Sequence, residues 1–206
     1  MSLRGLYLIT NDQPLPCLLV KLETMLATGA VALLQYRRKH TAITAQADEA
    51  AQVLAVCRRF GVPLIINDDV ALAERLGCGV HLGQADGSLS AARQRLGADA
   101  LIGRTCHDTL ALAQVAADEG ASYVAFGAVY PSSTKPNAQR VTHEILQQAV
   151  VELSLPICVI GGLTAENIQP LQAMGVSLYA VVSDIWQATD PVARLQVWQQ
   201  QLTVTT

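Results

Sequence analysis

The stretch PLIINDDVALAERLGCGVHLGQADGS, residues 63–88, decides the fold of this 206-residue chain. It contains two short apolar segments, residues 64–66 and 79–82, and acids and amides follow each of them directly. A pattern typical of a short helix, residues 70–76, joins the two segments. Strands joined through a helix pair in parallel, so we expect both acidic clusters to lie at the same edge of one sheet.

The same strand-and-helix unit recurs along the whole chain. Predicted strands occupy residues 5–10, 31–36, 64–66, 79–82, 101–103, 123–126, 157–160 and 178–182. Predicted helices occupy residues 15–28, 44–60, 70–76, 88–96, 108–119, 142–153, 167–174 and 191–202. Continuous apolar strands that alternate with helices indicate a parallel sheet covered by helices. Eight such units predict an α/β protein with a single (β/α)8 TIM barrel as one catalytic domain, residues 1–206.

An open, doubly wound sheet is the competing architecture. Such a sheet usually carries a glycine-rich phosphate-binding turn after its first strand. Here the first strand ends in TNDQP, residues 10–14, which contains no glycine. The sequence therefore favours the barrel.

The composition excludes several classes of function. Hydrophobic residues make up 51% of the chain and charged residues 15%, which indicates a heavily buried globular protein. The net charge of −3 gives no basic surface for nucleic acid or an anionic membrane. Neither a signal peptide nor a membrane span is visible. The five cysteines are isolated from one another, as expected for buried free thiols in a cytoplasmic protein.

Acidic residues follow the third and fourth predicted strands. The functional site of a (β/α)8 barrel lies at the carboxyl ends of its strands, where Asn67, Asp68 and Asp69 lie in this chain. Carboxylates on rigid strand ends suit Mg²⁺, which is held by one or two of them plus substrate phosphates. Asp69 is expected to cap the next helix, which favours Asp68 as the metal ligand. Asp86 could be a second ligand or could cap the helix that starts near Ser88.

The second predicted strand ends in a basic segment. Strand periodicity places Gln35, Arg37 and Lys39 on one face and leaves Tyr36 and Arg38 on the other. Two cations turned into a barrel mouth would be costly without an anion. A diphosphate is a natural partner for them. The alternative is that the strand has already ended and that these are solvated loop charges.

The remaining strand ends carry weaker signals. Thr105 could hydrogen-bond a substrate, whereas His107 could equally belong to the helix entry. The longest loop, residues 127–137, contains two hydroxyls and Lys135, which fits either a flap that closes on phosphate or a flexible surface loop. Loops after the seventh and eighth strands often form a phosphate site. There Gly162 permits close approach of the backbone, and Ser183 adds a hydroxyl.

Taken together, these motifs resemble the thiamine-phosphate synthase family. The segments that carry the resemblance are QYRRK at 35–39, INDD at 66–69, GVHLGQAD at 79–86, the loop at 131–135, IGG at 160–162 and VVS at 181–183. The resemblance implies an enzyme that joins 4-amino-2-methyl-5-(diphosphooxymethyl)pyrimidine to hydroxyethylthiazole phosphate. The products are thiamine phosphate and pyrophosphate, and Mg²⁺ assists the reaction.

The resemblance also implies residue roles. Asp68 and Asp86 should bind Mg²⁺. The expected substrate-binding residues are Gln35, Tyr36, Arg37, Arg38, Lys39, Asn67, Thr105, Ser132, Thr134, Lys135, Gly162, Val182 and Ser183. Among them, Arg37, Lys39, Thr105 and Lys135 are the expected catalytic residues on the diphosphate side. Thr105 stands where the family usually has serine, and Ser132 shows the reverse exchange.

In such enzymes the diphosphate leaves first, and the thiazole nitrogen captures the pyrimidine cation, so no side-chain nucleophile or general base is required. A related thiazole tautomerase on the same fold is one rival, for which His107 would matter. A non-catalytic phosphate-ligand sensor is another, but it would not need the aspartate pair. A phosphosugar enzyme would need a placed general acid and base. The expected partners are small-molecule substrates, and the oligomeric state stays open between a monomer and a homo-oligomer.

Overall fold

A computed structural model describes residues 3–131 and 140–203 of the chain. Its strands form one closed parallel barrel in which each strand pairs with the next along the chain and β8 pairs with β1. The strands are β1 Gly5–Ile9, β2 Val31–Tyr36, β3 Leu64–Asn67, β4 Gly79–Leu82, β5 Ile102–His107, β6 Tyr123–Gly127, β7 Ile157–Ile160 and β8 Leu178–Val181. The predicted (β/α)8 barrel is therefore confirmed.

Helices follow the strands and cover the outside of the barrel. Within the described residues they are α1 Leu15–Leu26, α2 Ile43–Phe60, α3 Val70–Leu76, α4 Leu89–Leu96, α5 Leu110–Asp118, α6 His143–Glu152, α7 Gln169–Met174, α8 Ser183–Trp186 and α9 Pro191–Thr203. No helix in this part of the chain is long and apolar enough to cross a membrane.

The unit of residues 63–88 folds for the local reasons that its sequence suggested. The carboxylate of Asp69 accepts a hydrogen bond from the Leu72 backbone N–H at 2.9 Å and so caps α3, as predicted. Gly77 ends that helix with a φ of 64°, a conformation that glycine adopts without steric cost. Ser88 caps α4 through the Ala91 N–H at 3.2 Å. The site residues between these caps are therefore held at fixed strand ends.

Among the element boundaries that differ from the prediction, two matter for the site. β5 continues to His107 instead of ending at residue 103, because Arg104 and Thr105 pair with β6 before the register shifts. After β8 the chain turns at once into α8, which begins at Ser183. Thr105 is therefore a strand residue, and Ser183 is a helix residue.

The hydrophobic core forms two layers. The larger layer lies between the strands and the helices, and a smaller one fills the barrel with residues that include Tyr7, Leu33 and Tyr123. The first strand is also linked to α8, since the Trp186 indole N–H donates to the Ile9 carbonyl at 2.7 Å. All five cysteines are free; Cys17 is exposed and Cys78 is half-buried, which differs from the buried placement that was expected.

Candidate active site

Asp68 occupies an unusual backbone position at the end of β3. Its φ of 66° lies in the left-handed region, which non-glycine residues rarely adopt and which concentrates at functional sites. Its backbone N–H donates to the His81 carbonyl at 2.9 Å and so anchors this turn to β4. The turn directs the Asp68 carboxylate toward the end of β4.

Asp86 lies on the β4 side of this acidic pair. Its carboxylate accepts the Gly83 N–H at 2.8 Å, and Ser88 caps α4 in its place, so the capping alternative for Asp86 is wrong. Partial burial, together with hydrogen bonding to Asp86 and repulsion from it, raises the pKa of Asp68. Asn67, which donates to the Asp68 carboxylate at 2.6 Å, and Lys39 act in the opposite direction. A carboxylate whose ionisation is disfavoured by an acidic neighbour is suited to share a cation with that neighbour.

The donor set fits Mg²⁺ better than a structural metal. Within residues 3–131 and 140–203, no three acidic, histidine or cysteine side chains gather as a metal-binding group. The described residues offer two carboxylates here, Asp68 and Asp86, so a metal bound between them would take its other ligands from substrate and water. Magnesium is commonly held in this way, whereas structural zinc takes four protein ligands.

The inward face of β2 carries the residues that were predicted to meet the pyrimidine diphosphate. Gln35 is 3% exposed and points into the barrel. Arg37 follows it and is half-buried, with its backbone N–H bound to the Thr10 hydroxyl at 2.8 Å. Lys39 is exposed at the mouth and close enough to Asp68 to lower its pKa. These three side chains therefore share the mouth with the acidic pair.

Tyr36 and Arg38 face the other way. The Tyr36 hydroxyl donates to the Glu49 carboxylate at 3.1 Å, and Arg38 Nε donates to the same group at 2.7 Å. Arg38 also donates to the carbonyls of Asn11 and Gln13. Tyr36 thus binds α2, and Arg38 binds both α2 and the loop after β1. Their placement does not support the expectation that they contact substrate; strand periodicity had indicated this outward orientation.

A hydrogen-bond chain crosses the barrel interior beneath the mouth. Gln35 Nε2 donates to the Tyr7 hydroxyl at 2.7 Å, and this hydroxyl lies 2.8 Å from that of Tyr123. The Tyr123 hydroxyl lies 3.0 Å from His81 Nδ1, and His81 Nε2 lies 2.8 Å from the Thr105 hydroxyl. Burial, followed by the nearby arginines, lowers the pKa of His81 to about 4, so its imidazole is neutral at pH 7.

The distances allow one continuous sense of donation that starts at the Gln35 amide. In this arrangement Tyr7 accepts from Gln35 and donates to Tyr123, which in turn donates to Nδ1 of His81. The neutral imidazole then carries its proton on Nε2 and donates it to Thr105. The Thr105 hydroxyl proton would then be available to a group in the mouth.

This buried chain of hydrogen bonds, from Gln35 to Thr105, is the main feature that sequence reasoning missed. No sequence pattern had assigned a role to His81 or to the two tyrosines. One sequence signal was available: Gly103, where a Cβ would overlap the Tyr123 ring and hydroxyl and His81 Nδ1. A glycine inside a strand often marks such a close approach.

A second concave region lies across the mouth, at the ends of β7 and β8. It has a volume of about 480 Å³. Its lining residues are Pro131, Gly162, Leu163, Thr164, Ser183, Asp184, Gln187, Ala188 and Arg194. We refer to it as the β7–β8 cavity. It brings together Gly162 and Ser183, as predicted, whereas Val182 packs against the core inside the barrel.

The loop after β7 is folded tightly around Asn167. The Asn167 side chain accepts the Thr164 N–H at 2.9 Å and donates to the Gly162 carbonyl at 2.9 Å. The Tyr130 hydroxyl donates to the Asn167 carbonyl at 2.9 Å and links this loop to the end of β6. A Cβ at Gly162, whose φ is 64°, would overlap Pro131 and Tyr130. Glycine is thus required here by packing as well as by any ligand.

Three predicted residues, Ser132, Thr134 and Lys135, lie outside the described residues. His107, on which the tautomerase alternative depends, is exposed at the end of β5, and its φ is 52°.

The fold and the mouth together define a class of protein. It is a (β/α)8 barrel with a charged, metal-compatible cluster at the ends of β2–β5 and a loop-lined cavity at the ends of β7 and β8. Residues 6–185 match the family described as thiamine monophosphate synthase. The chain belongs to that family, which confirms the resemblance.

Similar proteins extend over nearly the whole chain. A thiamine-phosphate synthase from an Azoarcus species is 48% identical over 193 residues, which span 93% of this chain and 94% of that protein. Another, from Methylobacillus flagellatus, is 45% identical over 199 residues and spans 96% of this chain and 95% of its own length. A solved thiamine phosphate pyrophosphorylase from Pyrococcus furiosus matches with a TM-score of 0.87 at 23% identity, covering 99% of this chain and 98% of that chain. This last comparison supports the fold alone.

Proposed function

We propose that this protein joins 4-amino-2-methyl-5-(diphosphooxymethyl)pyrimidine to hydroxyethylthiazole phosphate and releases pyrophosphate and thiamine phosphate. The observation that carries the proposal is the pair of regions at one barrel mouth. In the closed ring of strands, β3 and β4 lie opposite β7 and β8. The charged cluster and the β7–β8 cavity therefore face the same space from two sides. Relatives named thiamine-phosphate synthase at 45–48% identity confirm this activity over the tautomerase and sensor alternatives.

The reaction needs one bond to break and one to form. The C–O bond between the pyrimidine methylene and the diphosphate breaks, and the electron pair leaves with the diphosphate. The thiazole nitrogen then donates its lone pair to the methylene carbon, which gives the thiazolium of the product. No proton has to be removed from the thiazole nitrogen. The reaction therefore needs preorganised charge and orientation rather than a general base.

The residues of the mouth match these needs. Arg37 and Lys39 would bind the diphosphate oxygens and stabilise the charge that develops on them. Gln35 and Asn67 would orient the pyrimidine end. Thr105, held by His81, would donate its hydroxyl proton to the substrate or leaving group.

The other phosphate would lie across the mouth, in the β7–β8 cavity. Ser183 would donate a hydrogen bond to it, Gly162 would allow its approach, and Val182 would support this wall through its packing. Outside the described residues, Lys135 is proposed to reach the diphosphate. Ser132 and Thr134 are proposed to reach the thiazole side.

Mg²⁺ is the proposed cofactor, held by Asp68 and Asp86. When bound, it would neutralise charge on the diphosphate and make that group a better leaving group. The raised pKa of Asp68 supports this assignment, because the acidic pair is poorly compensated by protein groups alone.

The proposal extends to the setting of the enzyme. We infer one catalytic domain over residues 1–206, a cytoplasmic location and small-molecule substrates as its partners. No role for nucleic acid or a membrane is proposed, and a homo-oligomer is compatible with the proposal.

The test is product analysis with both substrates, with and without Mg²⁺. We expect thiamine phosphate and an equal amount of pyrophosphate only when both substrates and the metal are present. Folded protein that forms neither product under these conditions would contradict the proposal. Thiazole tautomerisation that is lost in His107→Ala would then support the rival isomerase.

A further inference from the structure

Arg194, on α9, lines the β7–β8 cavity and contacts both of the segments that form its walls. Its Nε and Nη2 donate to the Asp184 carboxylate, each at 2.9 Å, and Asp184 belongs to α8 after the last strand. Its Nη1 and Nη2 donate to the Glu166 carboxylate at 2.5 and 2.6 Å, and Glu166 belongs to the loop after β7. One planar guanidinium thus connects the two segments that carry Gly162 and Ser183.

These contacts leave Arg194 little capacity to bind substrate itself. A guanidinium has five N–H donors. Four of them are used, two by Asp184 and two by Glu166. Both pairs are bidentate, which fixes the orientation of the plane as well as its position. The geometry therefore favours a role in positioning over direct binding of phosphate.

Asp184 explains why a cation is needed at this place. It follows Ser183 directly, lines the cavity, and its side chain is 12% exposed. The buried Trp198 indole N–H also donates to it at 2.6 Å, which holds the carboxylate in place. A carboxylate fixed in the wall of a phosphate cavity would repel the ligand unless a cation compensates it. Arg194 supplies positive charge beside Asp184 and shares it with Glu166, whose side chain is largely exposed.

We propose that Arg194 is a positioning residue for the thiazole phosphate: it sets the spacing of the β7 and β8 loops and neutralises Asp184 beside the phosphate. The inference rests on the proposed function, because that function assigns the thiazole phosphate to this cavity. The inference predicts which of the two substrates is affected. Loss of Arg194 weakens binding at one side of the mouth and leaves the diphosphate side intact.

The test is steady-state kinetics of Arg194→Met, which keeps an apolar stem without the charge. We expect the KM for the thiazole phosphate to rise about tenfold, while kcat stays within about twofold and the KM for the pyrimidine diphosphate is unchanged. Arg95→Met is the matched control, since Arg95 pairs with Glu74 on the opposite end of the barrel. It should leave both KM values unchanged.

A second variant separates charge from structure. Asp184→Asn added to Arg194→Met removes the uncompensated carboxylate, and an asparagine oxygen can still accept the Trp198 N–H. We expect the double variant to recover part of the thiazole phosphate affinity that Arg194→Met loses. A purely structural role for Arg194 predicts no recovery, because the double variant lacks even more of the original contacts.

Three outcomes would overturn the inference: equal increases in both KM values, unchanged kinetics, or no recovery in the double variant. Failure of the proposed function is recognised separately, because wild-type protein would then form no thiamine phosphate. In that case, calorimetric titration with inorganic phosphate tests the positioning role. Weaker binding to Arg194→Met than to wild type would retain the positioning role, and equal binding would reject it.

Discussion

The two sides of the barrel mouth are built in different ways. The side formed by β2–β5 presents charged side chains, among them the Asp68–Asp86 pair and Lys39, all exposed at strand ends. The β7–β8 side is shaped by backbone, with Gly162 at positive φ, and Arg194 in its lining is already engaged by carboxylates. Charge on the first side is exposed and available to a ligand, whereas the arginine of the second side is paired with Asp184 and Glu166. The first side therefore suits a leaving group that gains charge, and the second suits a phosphate that does not react.

The largest effect should come from a change in the acidic pair. This change tests whether exposed charge at the β2–β5 side is used in the reaction. Asp68→Ala should lower kcat/KM by roughly a thousandfold, because charge on the leaving diphosphate loses its compensation. Initial rates of pyrophosphate release with Mg²⁺ measure this. The neighbouring Asp69→Asn is the control, since asparagine caps a helix as well as aspartate does. Similar losses in both variants would contradict a specific role for Asp68.

The next effect concerns the buried chain beneath that side. Tyr123→Phe removes the hydroxyl between Tyr7 and His81, so we expect a loss of about 2 kcal/mol in the free energy of unfolding. We also expect kcat to fall about tenfold, because Thr105 is no longer held in one orientation. Urea unfolding and steady-state kinetics provide the two values.

Tyr179→Phe is the matched control for this experiment. Tyr179 is also buried, and its hydroxyl donates to the Val176 carbonyl at 3.0 Å, away from the chain of hydrogen bonds below the mouth. It should lose comparable stability with an unchanged kcat. If Tyr123→Phe changes stability alone, the buried chain supports the fold without supporting catalysis.

A smaller effect is expected on the β7–β8 side. Ser183→Ala should raise the KM for the thiazole phosphate about fivefold through loss of one hydrogen bond to a charged group. The KM for the pyrimidine diphosphate should stay the same, which makes it an internal control. An increase confined to the pyrimidine substrate would reverse the assignment of the two sides.

The smallest effect tests the ion pair between Glu166 and Arg194. Hydrogen bonding to Arg194 lowers the pKa of Glu166 from 4.5 to about 2. A depressed carboxylate pKa stabilises the fold above the unfolded value, so this contribution is present above pH 4.5 and is lost as the pH falls toward 2. Glu166 is largely exposed, so solvent screening limits the contribution to less than about 1 kcal/mol.

Urea unfolding of wild type and Glu166→Gln at pH 6 and pH 3 measures this contribution. The wild type should be the more stable at pH 6, and the difference should shrink at pH 3. A difference that stays constant between the two pH values would contradict a role for the Glu166 charge.

The contrast between the two sides also explains what the sequence could and could not predict. The fold followed from the alternation of strand and helix patterns, and the residues of the β2–β5 side followed from charged residue types that stand directly after predicted strands. Strand periodicity even separated Gln35 and Arg37, which face the mouth, from Tyr36 and Arg38, which face α2.

Features that depend on distant residues were not predictable in this way. The chain from Tyr7 through Tyr123 to His81 joins three strands, and each residue alone resembles core. Arg194 lies on the last helix, and the predicted elements give no indication that it contacts Asp184 or Glu166. These contacts join residues that are distant in the sequence, so no local pattern predicts them. They form only when the barrel closes.

That closure has a consequence for the order in which the site appears. The indole of Trp186 binds the carbonyl of Ile9, and β8 pairs with β1, so the β7–β8 cavity adjoins the seam between the first and last strands. During synthesis, β2–β5 and their charged residues emerge well before this seam can form. The cavity is completed last, and a phosphate ligand that binds only there stabilises the sealed barrel over any form with an open seam. We therefore expect the proposed phosphate substrate to stabilise the closed barrel at the last stage of its folding.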